Sequence, residues 1–260
     1  MNLNDNFGLV SQASIGKADD AGSSAGNNDA RSSLPKAMKY PGGKGGAGIY
    51  QKIINLMPPH RVYIEPFVGG GNIYARKKPA PVNIVMDADE RSLDYWKERR
   101  GAGDIVIHGD AIGFLRGFPW RGDELVYCDP PYVMAARSGR KIYKHEFTDQ
   151  QHRDLVSILL TIPAAVMLSG YRNAIYDGTG LRDWHRFDFQ AMTRGGLRTE
   201  SLWMNFELPA VPAELTYLGA DYRERERIKR KKARWAEKLA KLPLAEQMAI
   251  MEVLRGILPS

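Results

Sequence analysis

The sequence predicts an α/β fold: a mostly parallel sheet flanked by helices, closed by a C-terminal hairpin and followed by a basic helical extension. Three observations predict it. From about Lys36 short β-rich runs alternate with helical stretches, the pattern of parallel strands joined by crossover helices. Two late β-rich runs meet through Thr193-Arg194-Gly195-Gly196, which reads as a hairpin turn. Beyond Leu208 the pattern changes to two helical periods parted by Pro243.

Residues 1–34 are rich in Ser, Gly, Asn, Asp and Ala without a sustained apolar period, and are expected to form a disordered leader. The α/β domain is expected over 35–210. Its strands are Arg61–Glu65, Val82–Asp87, Asp104–His108, Glu124–Asp129, Ala164–Ser169, His185–Ala191 and Ser201–Glu207. Gly70–Arg76, Asp89–Arg99 and Asp149–Leu160 read as helices between them, and such a sheet binds ligands at the carboxyl ends of its strands. The extension, 211–260, contains Asp221–Leu242, with Ile228, Trp235, Leu239 and Leu242 on one stripe, and Leu244–Leu258, with Leu244, Met248, Met251 and Leu258. These stripes are expected to pack as a helical hairpin on the body.

With 260 residues the chain is long enough to close a full core, and its single cysteine, Cys128, excludes an internal disulfide and a cysteine-rich metal site. No metal is expected, and Cys128 itself reads as a buried strand residue. No run approaches the roughly 20 apolar residues of a membrane span, and the N-terminus lacks the form of a signal peptide. A soluble, intracellular protein is the expectation. The net charge is +7, and its distribution is uneven: residues 221–242 hold ten Lys/Arg against four acids. A cationic segment of this kind suits a polyanion such as nucleic acid.

Three motifs carry chemistry. The first is Glu65-Pro66-Phe67-Val68-Gly69-Gly70-Gly71 at the end of one strand, with Asp87 ending the next. Glycines at a strand-to-helix turn let backbone approach a ligand, and an acid about 20 residues on can take both hydroxyls of a ribose, which describes an adenosine site. Tyr74 stands where a dinucleotide fingerprint has its third glycine, so that fold is disfavoured. The second is Tyr40-Pro41-Gly42-Gly43-Lys44-Gly45-Gly46, which lacks the residues of a Walker loop and presents an aromatic and a cation, suited to a base and a carboxylate.

The third motif is Asp129-Pro130-Pro131-Tyr132, directly after the apolar strand Leu125-Val126-Tyr127-Cys128. Two prolines make a rigid turn that aims the Asp129 carboxylate, the Pro130 carbonyl and the Tyr132 ring into one pocket. The lone pair of an exocyclic amine on a base is delocalised, so the nitrogen is a poor nucleophile. Two acceptors on its N–H groups favour a pyramidal nitrogen and stabilise the charge that develops on methylation, while the tyrosine ring stacks on the base.

The order of these three motifs resembles the Dam-like family of S-adenosylmethionine-dependent DNA adenine N6-methyltransferases, above all its phage and prophage members. The likeness runs from about Lys39 to Phe206 and includes Leu168-Ser169-Gly170-Tyr171 and Arg198-Thr199-Glu200-Ser201-Leu202-Trp203-Met204-Asn205. It implies a class I methyltransferase sheet of seven strands. It also implies S-adenosyl-L-methionine as cofactor, double-stranded DNA as partner, and the cytoplasm of a bacterial or phage-infected cell as location. Tyr40, Lys44, Asp87 and Asp129 fall on cofactor-contacting positions, joined by Glu65, Phe67 and Gly69 of the glycine motif. Asp129, Pro130 and Tyr132 fall at the target amine, and Asp110 near the position between cofactor and target base.

The chain departs from the family in one respect. Only 41 residues separate Asp87 from Asp129, too few for a separate target-recognition domain. DNA contacts are therefore expected from Val133–Phe147 with Arg137, Arg140, Lys141 and Lys144, from Arg194 and Arg198 of the hairpin, and from Arg225, Lys229 and Lys232 of the basic helix. Such loops favour phosphate over base edges, so a short or relaxed sequence preference follows. Cytosine N4-methylation, which more often has Ser in place of Asp129, and a non-catalytic DNA-binding relic are the alternatives.

Overall fold

The computed structural model describes residues 43–46, 48–101, 103–137, 143–193 and 196–257. The expected leader at 1–34, and Tyr40, Arg140, Lys141 and Arg194, lie outside the described residues. The chain divides into two compact units, one ending at Glu214 and one beginning at Leu215, four residues beyond the expected boundary.

The first unit is built on a seven-stranded sheet: β1 (Val62–Glu65), β2 (Val82–Asp87), β3 (Asp104–His108), β4 (Glu124–Cys128), β5 (Ala165–Gly170), β6 (His185–Thr193) and β7 (Gly196–Met204), in the order β3-β2-β1-β4-β5-β7-β6. β1 to β5 are parallel, while β7 runs antiparallel to β5 and β6. All residues of β1 and β4 are buried, as central strands covered on both faces must be. The fold is thus the seven-stranded, helix-flanked mixed sheet expected of the class.

Two expectations about the sheet and its turns need correction. β7 starts at Gly196, five residues before Ser201, because pairing with β6 from Thr193↔Gly196 to His185↔Met204 carries the polar run Arg198-Thr199-Glu200 into a strand. It stops at Met204 because the Asn205 side chain takes over the pairing with β5, accepting from the Val166 N–H at 2.8 Å and donating to the Ala164 carbonyl at 2.9 Å. Gly70–Arg76, expected as a helix, is a succession of turns. Gly69 (φ 43°) and Gly71 (φ 58°) both adopt left-handed backbone, which interrupts a right-handed helix at its start.

The helices among the described residues of this unit are α1 (Ile49–Asn55), α2 (Glu90–Lys97), α3 (Ala111–Gly117), α4 (Asp149–Leu159) and the single turn α5 (Ala174–Asp177). Their starts are legible in capping chemistry. Asp89 caps α2, Asp110 caps α3, Asn173 caps α5, and Thr148 with Gln151 forms a reciprocal capping box on α4. α1 was not expected from the sequence; it buries Ile49, Ile53 and Ile54 on one face. α2 holds the glycine turn in place: Ser92 Oγ and Trp96 Nε1 donate to the Gly69 carbonyl at 2.6 and 3.2 Å. A Cβ on Gly71 would overlap the Trp96 indole.

The second unit contains α6 (Tyr222–Ala240), capped by Asp221, and α7 (Leu244–Ile257). No residue of either helix is buried, and Trp235 and Met248 are 55% and 66% exposed. No described helix is long and apolar enough to cross a membrane.

Two consequences are testable. Gly71→Ala forces a methyl group into the Trp96 ring at a positive φ, so it is expected to lower unfolding free energy in urea by about 1–3 kcal/mol. A loss below about 0.5 kcal/mol, the range of an ordinary surface substitution, would show that the turn is not held by this contact. The second consequence concerns acid. His152, fully buried and bonded to the Tyr176 hydroxyl at 2.9 Å, and His60 are pushed by burial from 6.5 down to about 4. Between these values the unfolded chain binds protons that the folded chain does not, so stability present above pH 6.5 is lost as pH falls toward 4. Urea titrations across this window should show that loss, with a slope reduced by up to one proton in His152→Gln.

Candidate active site

A cleft of about 340 Å³ opens at the carboxyl ends of β1 to β4, within the volume range of small-molecule sites. Glu65, Phe67, Gly69, Asp87, Asp110, Lys44 and Asp129 all line it. Residues spread over 85 positions of sequence are thereby brought to one wall, because each acid ends or follows a parallel strand.

Glu65 ends β1 and is 3% exposed. Its Oε2 accepts from the Tyr63 hydroxyl at 2.8 Å and the Tyr74 N–H at 3.2 Å, and burial pushes its carboxyl up to about 8, so it is protonated at neutral pH. Asp87 ends β2. Its Oδ2 accepts the Gly69 N–H at 2.7 Å and its Oδ1 the Asp89 N–H at 2.8 Å, while burial raises its pKa. Each oxygen of Asp87 keeps acceptor capacity after these bonds. Asp110, after β3, is committed to the start of α3, accepting from Ile112 N–H at 3.3 Å and Gly113 N–H at 2.7 Å.

Asp129 follows β4, and a cation holds it. Lys44 Nζ donates to Oδ1 and Oδ2 of Asp129, both at 2.7 Å, and to the Tyr132 hydroxyl at 2.6 Å. Glu200 on β7 lies 3.6 Å from the same ammonium and accepts from the Tyr132 hydroxyl at 3.1 Å. Lys44 is 3% exposed. Burial opposes its charge, but Asp129 and Glu200 outweigh burial and hold the ammonium above its ordinary range. Glu200 was not expected in the site; its only signal was its position inside the Arg198–Asn205 run.

Several expected residues are placed differently. Tyr132 is 6% exposed, packs edge to face on Tyr171 with ring centroids 4.7 Å apart, and does not line the cleft, so its ring offers no face for a base. Pro130 is buried, and Pro131 lines the cleft instead. Arg137 does not reach outward to a phosphate: its side chain is 7% exposed and ion-paired with Glu146. Lys144 is 53% exposed and sits 3.7 Å from Asp89. Arg198 Nη1 donates to the Ala136 carbonyl at 3.2 Å. Arg225 is half-buried and bonds the Gly219 carbonyl, whereas Lys229 and Lys232 are exposed on α6. Cys128 is fully buried, and burial raises its thiol pKa, which makes it a core residue and not a nucleophile. Among the described residues no three His, Cys, Asp or Glu side chains converge as a metal site.

No family model matches the chain, and no curated protein does. Among solved structures it is similar to precorrin 8w decarboxylase from Methanobacterium thermoautotrophicum, at 11% identity and TM-score 0.45, over 68% of this chain and 98% of that one. It is also similar to an rRNA methylase from Streptococcus thermophilus, at 9% identity and TM-score 0.43, over 62% and 95% of the two chains. A third is TrmK from M. capricolum in complex with S-adenosyl-homocysteine, at 6% identity and TM-score 0.40, over 79% and 93%. Likenesses at this level carry neither a substrate nor a cofactor over to this chain.

Proposed function

We propose that the protein transfers the methyl group of S-adenosylmethionine to the N6 amine of adenine in DNA. The observation that carries this reading is the placement of Asp129, on a two-proline turn, in the same cleft as Asp87. β2 and β4 flank β1, so the two acids stand two strand spacings apart, roughly 10 Å. One end of the cleft thus suits hydroxyl groups and the other an amine.

The donor set fits the cofactor. Asp87 retains acceptors for ribose hydroxyls, the positive-φ turn at Gly69 brings backbone close to the cleft, and Asp110 stands at the neighbouring strand end. S-adenosylmethionine, when bound, supplies an electrophilic methyl group. Asp129 accepts an N–H bond of the acceptor amine and stabilises the positive charge that develops on its nitrogen. Lys44 fixes both Asp129 oxygens, and Tyr132 with Glu200 fixes Lys44. Asp129, Glu200 and Lys44 together formally carry one net negative charge, the sign that a developing ammonium requires.

Adenine is favoured over cytosine by the aspartate at position 129, and DNA by the motif order that the chain shares with the Dam-like family. Lys229 and Lys232, exposed on a helix rich in cations, suit phosphate contacts that are independent of sequence. With so few base-reading elements, a short or relaxed target sequence follows.

Nucleoside mass spectrometry of duplex DNA, and in parallel of RNA, after incubation with protein and S-adenosylmethionine tests the reading. Methyladenine in DNA is expected. Methylcytosine, or product confined to RNA, would reassign the substrate, and no product on either would remove the transfer itself. Asp129→Ala should lower turnover by about 10²-fold or more. Asp87→Ala should weaken cofactor binding in calorimetry by about 1.5–3 kcal/mol, as for a lost hydrogen bond to a charged group. Turnover within ten-fold of wild type for the first, or unchanged affinity for the second, would reject the corresponding role.

A further inference from the structure

Lys44 opposes the cofactor on electrostatic grounds. It lines the cleft, and S-adenosylmethionine carries a positive charge on its sulfur, so the two repel. Asp129 offsets the ammonium, accepting it on both oxygens at 2.7 Å, but that pair is formally neutral by itself. A second acid faces the same ammonium from β7. Glu200 is 6% exposed; its Oε2 lies 3.6 Å from Lys44 Nζ and accepts the Tyr132 hydroxyl at 3.1 Å. A neutral acceptor would serve that hydroxyl as well, and burying a carboxylate costs more than burying an amide. What Glu200 adds to the cluster is therefore its charge.

We propose that Glu200 is a positioning residue that, through Lys44, sets the preference of the cleft for S-adenosylmethionine over the neutral S-adenosylhomocysteine; the proposal rests on the reading of function given above. The two molecules share their adenosine and amino-acid parts and differ by one methyl group and one positive charge at sulfur. Methyl transfer breaks the carbon–sulfur bond, forms a carbon–nitrogen bond on the acceptor amine and moves the charge to that nitrogen, whose proton then passes to water. A neutral thioether is left, to which the charge of Glu200 contributes nothing. Glu200 thus favours binding of the charged cofactor and departure of its product. It does not line the cleft and acts from behind Lys44, so it needs no contact with either molecule. Glu65, which does line the cleft, holds its proton at neutral pH and supplies no such charge.

Calorimetry on the full chain with S-adenosylmethionine and with S-adenosylhomocysteine, in the absence of DNA, tests the role. Glu200→Gln keeps an acceptor for Tyr132 and removes the charge. It is expected to weaken S-adenosylmethionine by roughly ten-fold, the scale of one unit charge at a partly screened site, while S-adenosylhomocysteine stays within about two-fold of wild type. Glu200→Asp keeps the charge and should hold the ratio of the two affinities within about three-fold of wild type. An unchanged ratio in Glu200→Gln, equal weakening of both ligands, or a Glu200→Asp that behaves as Glu200→Gln does would each overturn the role. Should Glu200→Gln not fold, Lys44→Gln, which removes the opposing charge, should raise the ratio, and an unchanged or lower ratio there would overturn the role. A wild type that binds neither molecule overturns the functional reading and this role together. A wild type that binds both, shows the expected shift in Glu200→Gln and methylates no DNA supports the role and overturns the DNA reading alone.

Discussion

The site depends on the parallel register of the first four strands. Parallel strands share a carboxyl edge, so residues that end or follow them gather at one end of the sheet whatever their separation in sequence. Asp87 pairs in register with His108, and β1 lies between β2 and β4. This register brings Glu65, Asp87, Asp110 and Asp129 to a single cleft. A one-residue slip in any of these strands would turn its side chains to the opposite face.

Gathering four acids raises an electrostatic difficulty, and the structure meets it in three ways. Glu65 is buried deeply enough to hold its proton at neutral pH. Asp87 and Asp110 accept backbone N–H groups at a turn and at a helix start, where partial positive charge is concentrated. Asp129 is paired with the buried Lys44 ammonium, itself shared with Glu200. A buried pair of this kind contributes little net stability, because desolvation offsets the attraction. What it provides is a fixed carboxylate in the wall of the cleft. The same pairing explains why Tyr132 faces inward, since its hydroxyl bridges the lysine and the second acid.

The elements read correctly from sequence share a physical trait. Val82–Asp87 and Asp104–His108 were placed without error, and Cys128 was placed in the core, because β-rich runs bounded by turn residues and charges carry their signal locally. The errors arose where distant residues decide. Gly70–Arg76 was read as a helix from its place between two strands, but the Trp96 indole and the left-handed backbone of Gly69 and Gly71 make it a run of turns. Arg198-Thr199-Glu200 is polar and carries no local strand signal; pairing with β6 makes it part of β7.

Sequence alone determined the sheet class, the end of the sheet at which the cleft opens, and the acids that line it. These follow from local patterning, proline-fixed turns and the strand-end rule, which need no knowledge of distant contacts. Only the tertiary structure decided which charges are spent internally. Whether Arg137 meets a phosphate or Glu146, whether Tyr132 stacks on a base or ties Lys44 to Glu200, and whether Tyr143 lines the cleft all depend on partners 9 to 88 residues away or on a register that sequence spacing does not encode. The reason is that long polar side chains have several partners of similar energy in water, and burial, set by the whole fold, selects one of them.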